Sequence, residues 1–285
     1  MEGGVLRRVA AAGTVGLACV GAAMLLLSSS HAAAGGGSGA ALLPDLVVET
    51  PDEISLQRAP DSKKTFLRFS HTTSNTGVGP LEIYPDLETE TCGDEGDRGR
   101  VAYQRIYQDT NGSGKFERGP DADSTDDPVG CMIFHEIHSH YHFEDFASYE
   151  LYRVKSGQLK EVSEKVSFCV VDILNTHSDL PGAAINPYYE FEDCLTDSGI
   201  HGISVGWADI YGSSTPGQEF DISDRNPGRY CLVARTDPLD RIEELPTGGE
   251  DNNLQTVQIR MNKKNATEFG TAAPILSKPC SPPAP

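Results

Sequence analysis

Positive charge is scarce in this sequence: 23 Lys and Arg stand against 42 Asp and Glu among 285 residues, a net charge of -19. A surface this acidic repels phosphate backbones, which excludes nucleic acid as an expected ligand and favours cations, amines or basic polypeptides. No Cys-x-x-Cys pair occurs, so neither a zinc ribbon nor a thioredoxin-like centre is indicated. No His-Glu-x-x-His helix occurs either, which weighs against a zinc hydrolase built on that motif. No long stretch keeps a clean 3.6-residue apolar period, and no internal repeat is visible. What is abundant is Gly and Pro, at 29 and 18 residues, an excess that favours turns over a helical bundle. Apolar residues, at 38%, are enough for a core.

The first 34 residues read as a secretory signal peptide. Arg7 and Arg8 precede an apolar stretch over 9–27, and the small residues Ala32, Ala33 and Ala34 follow. A permanent anchor is the alternative, because the apolar stretch is nearly long enough to span a bilayer. Removal of the peptide predicts a secreted or extracellular chain, with the periplasm or the cell surface as alternatives, whose mature domain does not insert into a membrane. It also removes Cys19 and leaves Cys92, Cys131, Cys169, Cys194, Cys231 and Cys280. An even number of cysteines in an oxidising compartment predicts up to three disulfides, with 15 possible connectivities.

Residues 35–43 read as a flexible linker. Beyond them, short β-type runs alternate with turn clusters: 45–50, 65–74, 81–84, 100–108, 166–173, 202–211, 229–235 and 254–261. Several alternate polar and apolar, as in Phe66-Leu67-Arg68-Phe69, which is the pattern of half-buried antiparallel strands. The expected fold is all-β: one antiparallel, β-sandwich-like domain over 44–265 with long loops and few helices, then a Pro-rich tail over 266–285.

Two segments carry metal-ligand chemistry. The loop from Asp109 through Asn111 to Glu117 has oxygen donors at alternate positions and Gly114 at the sixth, half of a calcium-loop pattern. Its twelfth position is Pro120 rather than Glu, so Ca²⁺ there competes with a plain solvated acidic loop. The second segment holds four of the eight histidines within eight residues: His135, His138, His140 and His142. On a strand, His138, His140 and His142 would share one face and offer three imidazoles to Cu²⁺ or Zn²⁺. A straight strand spreads them over roughly 13 Å, too wide for metal bonds of about 2 Å, so the chain is expected to bend, twist or bulge here. His135 lies off the alternation and is read as a supporting group.

These residues also resemble a known family, the lysyl oxidases, copper-dependent amine oxidases whose quinone cofactor is made from their own side chains. His138-Ser139-His140-Tyr141-His142 is similar to the family's H-x-H-Y-H stretch, and Lys165-Val166-Ser167-Phe168-Cys169 to its K-x-S-F-C segment. Gly202-Ile203-Ser204-Val205-Gly206 and Asp209-Ile210-Tyr211-Gly212 follow in the family order. So do Asp221-Ile222-Ser223-Asp224, Pro227-Gly228-Arg229-Tyr230 and the pair Asn252-Asn253. The resemblance covers about 130–262. It implies Cu²⁺ on His138, His140 and His142, and a lysine tyrosylquinone formed from Lys165 and Tyr211. It implies oxidative deamination of primary amines, with O₂ consumed and H₂O₂ and ammonia released. The amines would be small cationic molecules or lysine side chains of extracellular proteins.

Asp209, two residues from Tyr211 on the same strand face, is the candidate base, with His201 as the alternative. Animal members often have a cysteine where this chain has Ile137, and another where it has Trp207, so the disulfide pattern must differ from theirs. The pairing adopted is Cys169 with Cys194, Cys92 with Cys131 and Cys231 with Cys280, which the residues alone do not single out. The competing reading is a secreted copper-binding β-domain without catalysis, which would need neither Lys165 nor Tyr211 in these motifs.

Overall fold

Burial follows the sequence alternation: Thr65 and Leu67 point inward while Phe66 and Arg68 are partly exposed. Strands of this kind assemble into four antiparallel sheets in a computed structural model that describes residues 39–88, 91–94, 97–163, 166–246 and 252–282. Strand makes up 42% and helix 4%, and helix is confined to short turns such as Phe191–Leu195. The all-β, antiparallel expectation holds, but four sheets share the work that a sandwich divides between two. The expected signal peptide, residues 1–34, lies outside the described residues. Among the described residues no helix is long and apolar enough to cross a membrane.

The first sheet has the order His201–Ile203, Leu81–Pro85, Gly99–Gln108, Ser124–His135 and His140–Phe143, with Ala41–Leu42 added beside Gly99–Gln108. The second runs Gln158–Val162, Ala147–Arg153, Gly228–Thr236, Leu254–Met261 and Ile275–Leu276. The third joins Leu174–Asn175, Trp207–Tyr211, His71–Asn75 and Leu46–Val48. The fourth joins Glu219–Asp221, Thr65–Arg68, Ser55–Arg58 and Thr271–Ala272. One apolar core collects residues from all four, among them Leu81, Leu151, Leu46 and Leu67. At its centre Phe69 lies 5.0 Å from Tyr149 and 5.2 Å from Phe220, ring centroid to centroid.

Several boundaries differ from the sequence reading. The 202–211 run is two strands in two sheets, His201–Ile203 and Trp207–Tyr211. Gly206 makes the break: its φ is +83°, and a Cβ there would meet the His177 carbonyl oxygen at 2.7 Å. The 65–74 run likewise divides between two sheets around Phe69 and Ser70. The 166–173 run is extended, but among the described residues only Phe168 makes a ladder bridge, to Phe143. Neither end is a mere appendage. Ala41 and Leu42 pair with Gln108 and Tyr107 inside the expected linker. Thr271 and Ala272 pair with Leu56 and Ser55 inside the expected tail.

The loop from Asp109 closes on itself. The Asp109 carboxylate accepts the backbone N–H groups of Ser113 (3.0 Å) and Gly114 (2.8 Å), and the Asn111 amide donates to Glu117 (2.7 Å). Three metal-binding side chains of His, Cys, Asp or Glu converge, among the described residues, at the histidines and not in this loop. The three disulfides are Cys92–Cys131, Cys169–Cys194 and Cys231–Cys280.

Candidate active site

The histidine segment is a hairpin rather than one straight strand. Ser124–His135 pairs with His140–Phe143, His135 faces His140 in register, and 136–139 form the turn. Ser139 takes φ +60°, the left-handed conformation that reverses the chain. His138 thus stands on the turn, not on the strand face expected for it, and this resolves the 13 Å objection: the turn folds His138 back over His142. Their rings lie 5.0 Å apart, and His140 and His142 4.6 Å apart.

Nε2 of His142 lies 2.8 Å from Nε2 of His140 and 3.4 Å from Nδ1 of His138. His135, read from sequence as a supporting group only, belongs to the cluster: ring nitrogens of His135, His138 and His142 all lie within 4.8 Å of one another. Its Nε2 is also 2.9 Å from the Glu144 carboxylate, as suits support. The hairpin register, which puts His135 opposite His140, is the signal that strict alternation missed.

The far nitrogens are held. Nδ1 of His140 donates to the His138 carbonyl at 2.9 Å, and Nδ1 of His142 meets the Ser167 hydroxyl at 3.1 Å. A ring that gives its proton at Nδ1 presents a bare lone pair at Nε2. His140 therefore presents such a lone pair at Nε2, 2.8 Å from Nε2 of His142, and imidazoles gathered this closely fit a metal ion that prefers nitrogen ligands. Neither Ser167, inside the quoted K-x-S-F-C segment, nor Glu144, two residues past the H-x-H-Y-H stretch, is singled out by the sequence as a partner of these rings.

In front of the histidines is a cavity of about 420 Å³, lined also by Asp209, Tyr211, Val171, Ile173 and Phe191. Asp209 and Tyr211 lie two apart on Trp207–Tyr211, opposite Thr73 and His71. The Tyr211 hydroxyl is clamped by one residue: it accepts from the Cys169 N–H at 2.8 Å and donates to the Cys169 carbonyl at 3.0 Å. Its ring meets Phe168 edge-on at 4.4 Å. Burial, and then the charge of Asp209, push its hydroxyl well above the usual phenol pKa.

The wall of the cavity is pinned by Asp172. Its carboxylate accepts from Ser204 N–H and Oγ (2.8 and 2.7 Å) and from the Tyr188 N–H (2.8 Å). Phe191, on a turn tied to Cys169 through Cys194, packs edge-on against His140 at 5.1 Å. His201 is fully buried, does not line the cavity, and is held near pKa 3 by burial and, to a lesser degree, by His140. Asp209 is therefore the one of the two base candidates that faces the cavity. Lys165 lies outside the described residues.

Imidazoles on one wall of an apolar cavity, with a half-buried tyrosine and a carboxylate on another, could hold a metal ion with a side open to the cavity. Residues 121–269 match the family model for lysyl oxidase, and the chain belongs to the lysyl oxidase family. It is 29% identical over 138 residues to protein-lysine 6-oxidase of Gallus gallus, and 28% identical over the same length to that of Homo sapiens. Each match covers 48% of this chain and 30% of the relative. Lysyl oxidase homolog 3A of Danio rerio is 31% identical over 113 residues, covering 39% of this chain and 14% of that protein. The chain thus spans under a third of the length of these relatives.

Proposed function

We propose that this chain is a secreted copper- and quinone-dependent amine oxidase. It converts a primary amine, O₂ and water to an aldehyde, ammonia and H₂O₂. The observation that carries the reading is the single cavity bounded at once by His138, His140, His142, Asp209 and Tyr211. His138, His140 and His142 would hold the copper, with His135 beside them. Tyr211 and Lys165 would join as the lysine tyrosylquinone, the group that takes two electrons from the amine and is returned to its oxidised form by O₂.

The chain's own residues have definable tasks. The Cys169 backbone and Phe168 fix the position and tilt of the Tyr211 ring. Asp209 carries the carboxylate that would take the α-proton of the bound amine. Val171, Ile173 and Phe191 exclude water and give the methylenes of a lysine-like side chain an apolar path to Asp209. A cationic amine in solution is also favoured near a body of net charge -19.

The test is peptide mass spectrometry on protein matured with copper. A joined pair of peptides carrying Lys165 and Tyr211, with visible absorbance that phenylhydrazine shifts, is expected. Copper bound at the histidines with both residues unmodified would instead make the chain a metal-binding module.

A further inference from the structure

Away from the catalytic cavity, the second sheet carries a groove of opposite charge to the rest of the molecule. Two cavities, of about 600 and 210 Å³, share Arg153, Val154 and Arg229 and so run together; neither has a lining residue in common with the catalytic cavity. Arg153, Lys155, Arg229, Arg260 and Lys278 line them, and no Asp or Glu does, in a chain where acids outnumber bases 42 to 23.

The placement of the charges is specific. Arg229 and Arg260 are directly opposed across the pair Gly228–Thr236 and Leu254–Met261. Like charges at facing positions of a ladder destabilise it, and both side chains are exposed. Among the described residues Arg153 donates to neutral acceptors alone, the Tyr230 hydroxyl at 3.0 Å and the carbonyls of Asn226 and Pro227 at 3.4 and 3.3 Å. Among the described residues none of the five makes an ion pair, whereas Arg105, Arg118 and Arg241 elsewhere each face a carboxylate.

The groove is also a built one. Its rim is the stretch around Lys278 and Cys280, fixed by the Cys231–Cys280 disulfide, by Thr256 Oγ1 donating to the Cys280 carbonyl (2.7 Å), and by Gln258 donating to the Lys278 carbonyl (3.3 Å).

We propose that this groove binds an oxyanion of the sulfate or phosphate class between Arg229 and Arg260. Guanidinium forks match the tetrahedral and planar oxyanions bidentately, as ammonium groups do not. A concave seat suits a compact anionic group better than the flat face of another protein. The oxyanion comes either as a free ion or as a group carried on an anionic polymer; the chemistry recognised is the same. On a polymer it would hold an acidic protein against an anionic support that its net charge otherwise repels.

The experiment uses the full chain. Sodium sulfate and inorganic phosphate are titrated against chloride at constant ionic strength, by calorimetry, into wild type, the double variant R229S/R260S, and R58S as a control arginine outside the groove. Saturable binding is expected for wild type and R58S, at least tenfold weaker in the double variant, with amine oxidation and folded spectra unchanged. Retention of dextran sulfate but not neutral dextran, with the same arginine dependence, identifies a polymer-borne group, also where the free ions fail to saturate. Saturation by the free ions with no dextran sulfate retention identifies a free anion. Failure of both, or equal binding by wild type and the double variant, overturns the proposal. So does concentration-dependent self-association that needs the two arginines without any oxyanion binding, since the counter-charge would then be the acidic surface of a second copy.

Discussion

Ser167 and His71 show how single side chains set the behaviour of the site. The Ser167 hydroxyl touches both His142 (3.1 Å) and His135 (3.3 Å), so it orients two rings without being a ligand. Ser167→Ala is expected to weaken copper binding by about 10–100-fold, measured by competition with a copper chelator, whereas His142→Ala should abolish high-affinity binding. Tyr211→Phe should bind copper normally, yet lose the phenylhydrazine-reactive absorbance and all amine turnover.

His71 governs a pH response. It is fully buried, hydrogen-bonded at 2.9 Å to Thr73 Oγ1, and burial holds its pKa at about 3. The unfolded chain takes up a proton near pH 6.5 that the folded chain refuses down to about pH 3. The unfolded state therefore binds more protons in that window. This contribution to stability is complete above pH 6.5 and is lost as pH falls, by up to about 1.4 kcal/mol per pH unit. Urea unfolding of His71→Phe between pH 7 and 4.5 should show a slope shallower by one proton.

At the scale of elements, the hairpin that carries the histidines rests on Ser139 at φ +60°. Ser139→Gly should keep both fold and copper binding, because glycine reaches this conformation freely. Ser139→Val should cost about 1–2 kcal/mol or more and weaken copper binding, since a displaced turn takes His138 with it; thermal melts and metal titration on the two variants read both effects.

This turn also marks the limit of what the sequence disclosed. The histidine density and the order of the motifs pointed to side chains that the fold gathers around one cavity, and the polar–apolar alternation to most strands. Alternation could not reveal that 136–139 reverse direction, because a turn of Glu, Ile, His and Ser lacks the Gly or Pro that marks such reversals. Nor could it show that 202–211 and 65–74 each pass between sheets, since apolar spacing is the same on both sides of the break. Asn252 and Asn253, legible as a motif, donate to Asp45, 207 residues away, and to nearby Glu244, and neither lines the cavity. Phe191, whose segment has no alternation, entered the cavity unannounced.

For the molecule as a whole, long-range ties dominate. The Glu244 carboxylate accepts the Leu46 N–H across 198 residues of sequence, and Gln57 donates to the Glu268 carbonyl across 211. Cys231–Cys280 closes 49 residues and anchors the stretch that completes two sheets. Cys280→Ser is expected to lower stability by about 2–4 kcal/mol in denaturant titration. It should leave copper binding intact, because none of the cavity residues lies on that stretch.

Contacts of that span also set a timetable for assembly. Ser55–Arg58 gains one of its two neighbouring strands only when Thr271–Ala272 arrives, more than 200 residues later in synthesis. Until then an N-terminal strand edge stays open, and such edges pair readily with other chains. Closing so many distant pairings is slow. A cell making this protein must therefore keep a half-finished sheet from its neighbours for the whole time the chain is being delivered. Yield on expression should accordingly follow the supply of folding helpers more closely than the stability of the finished fold.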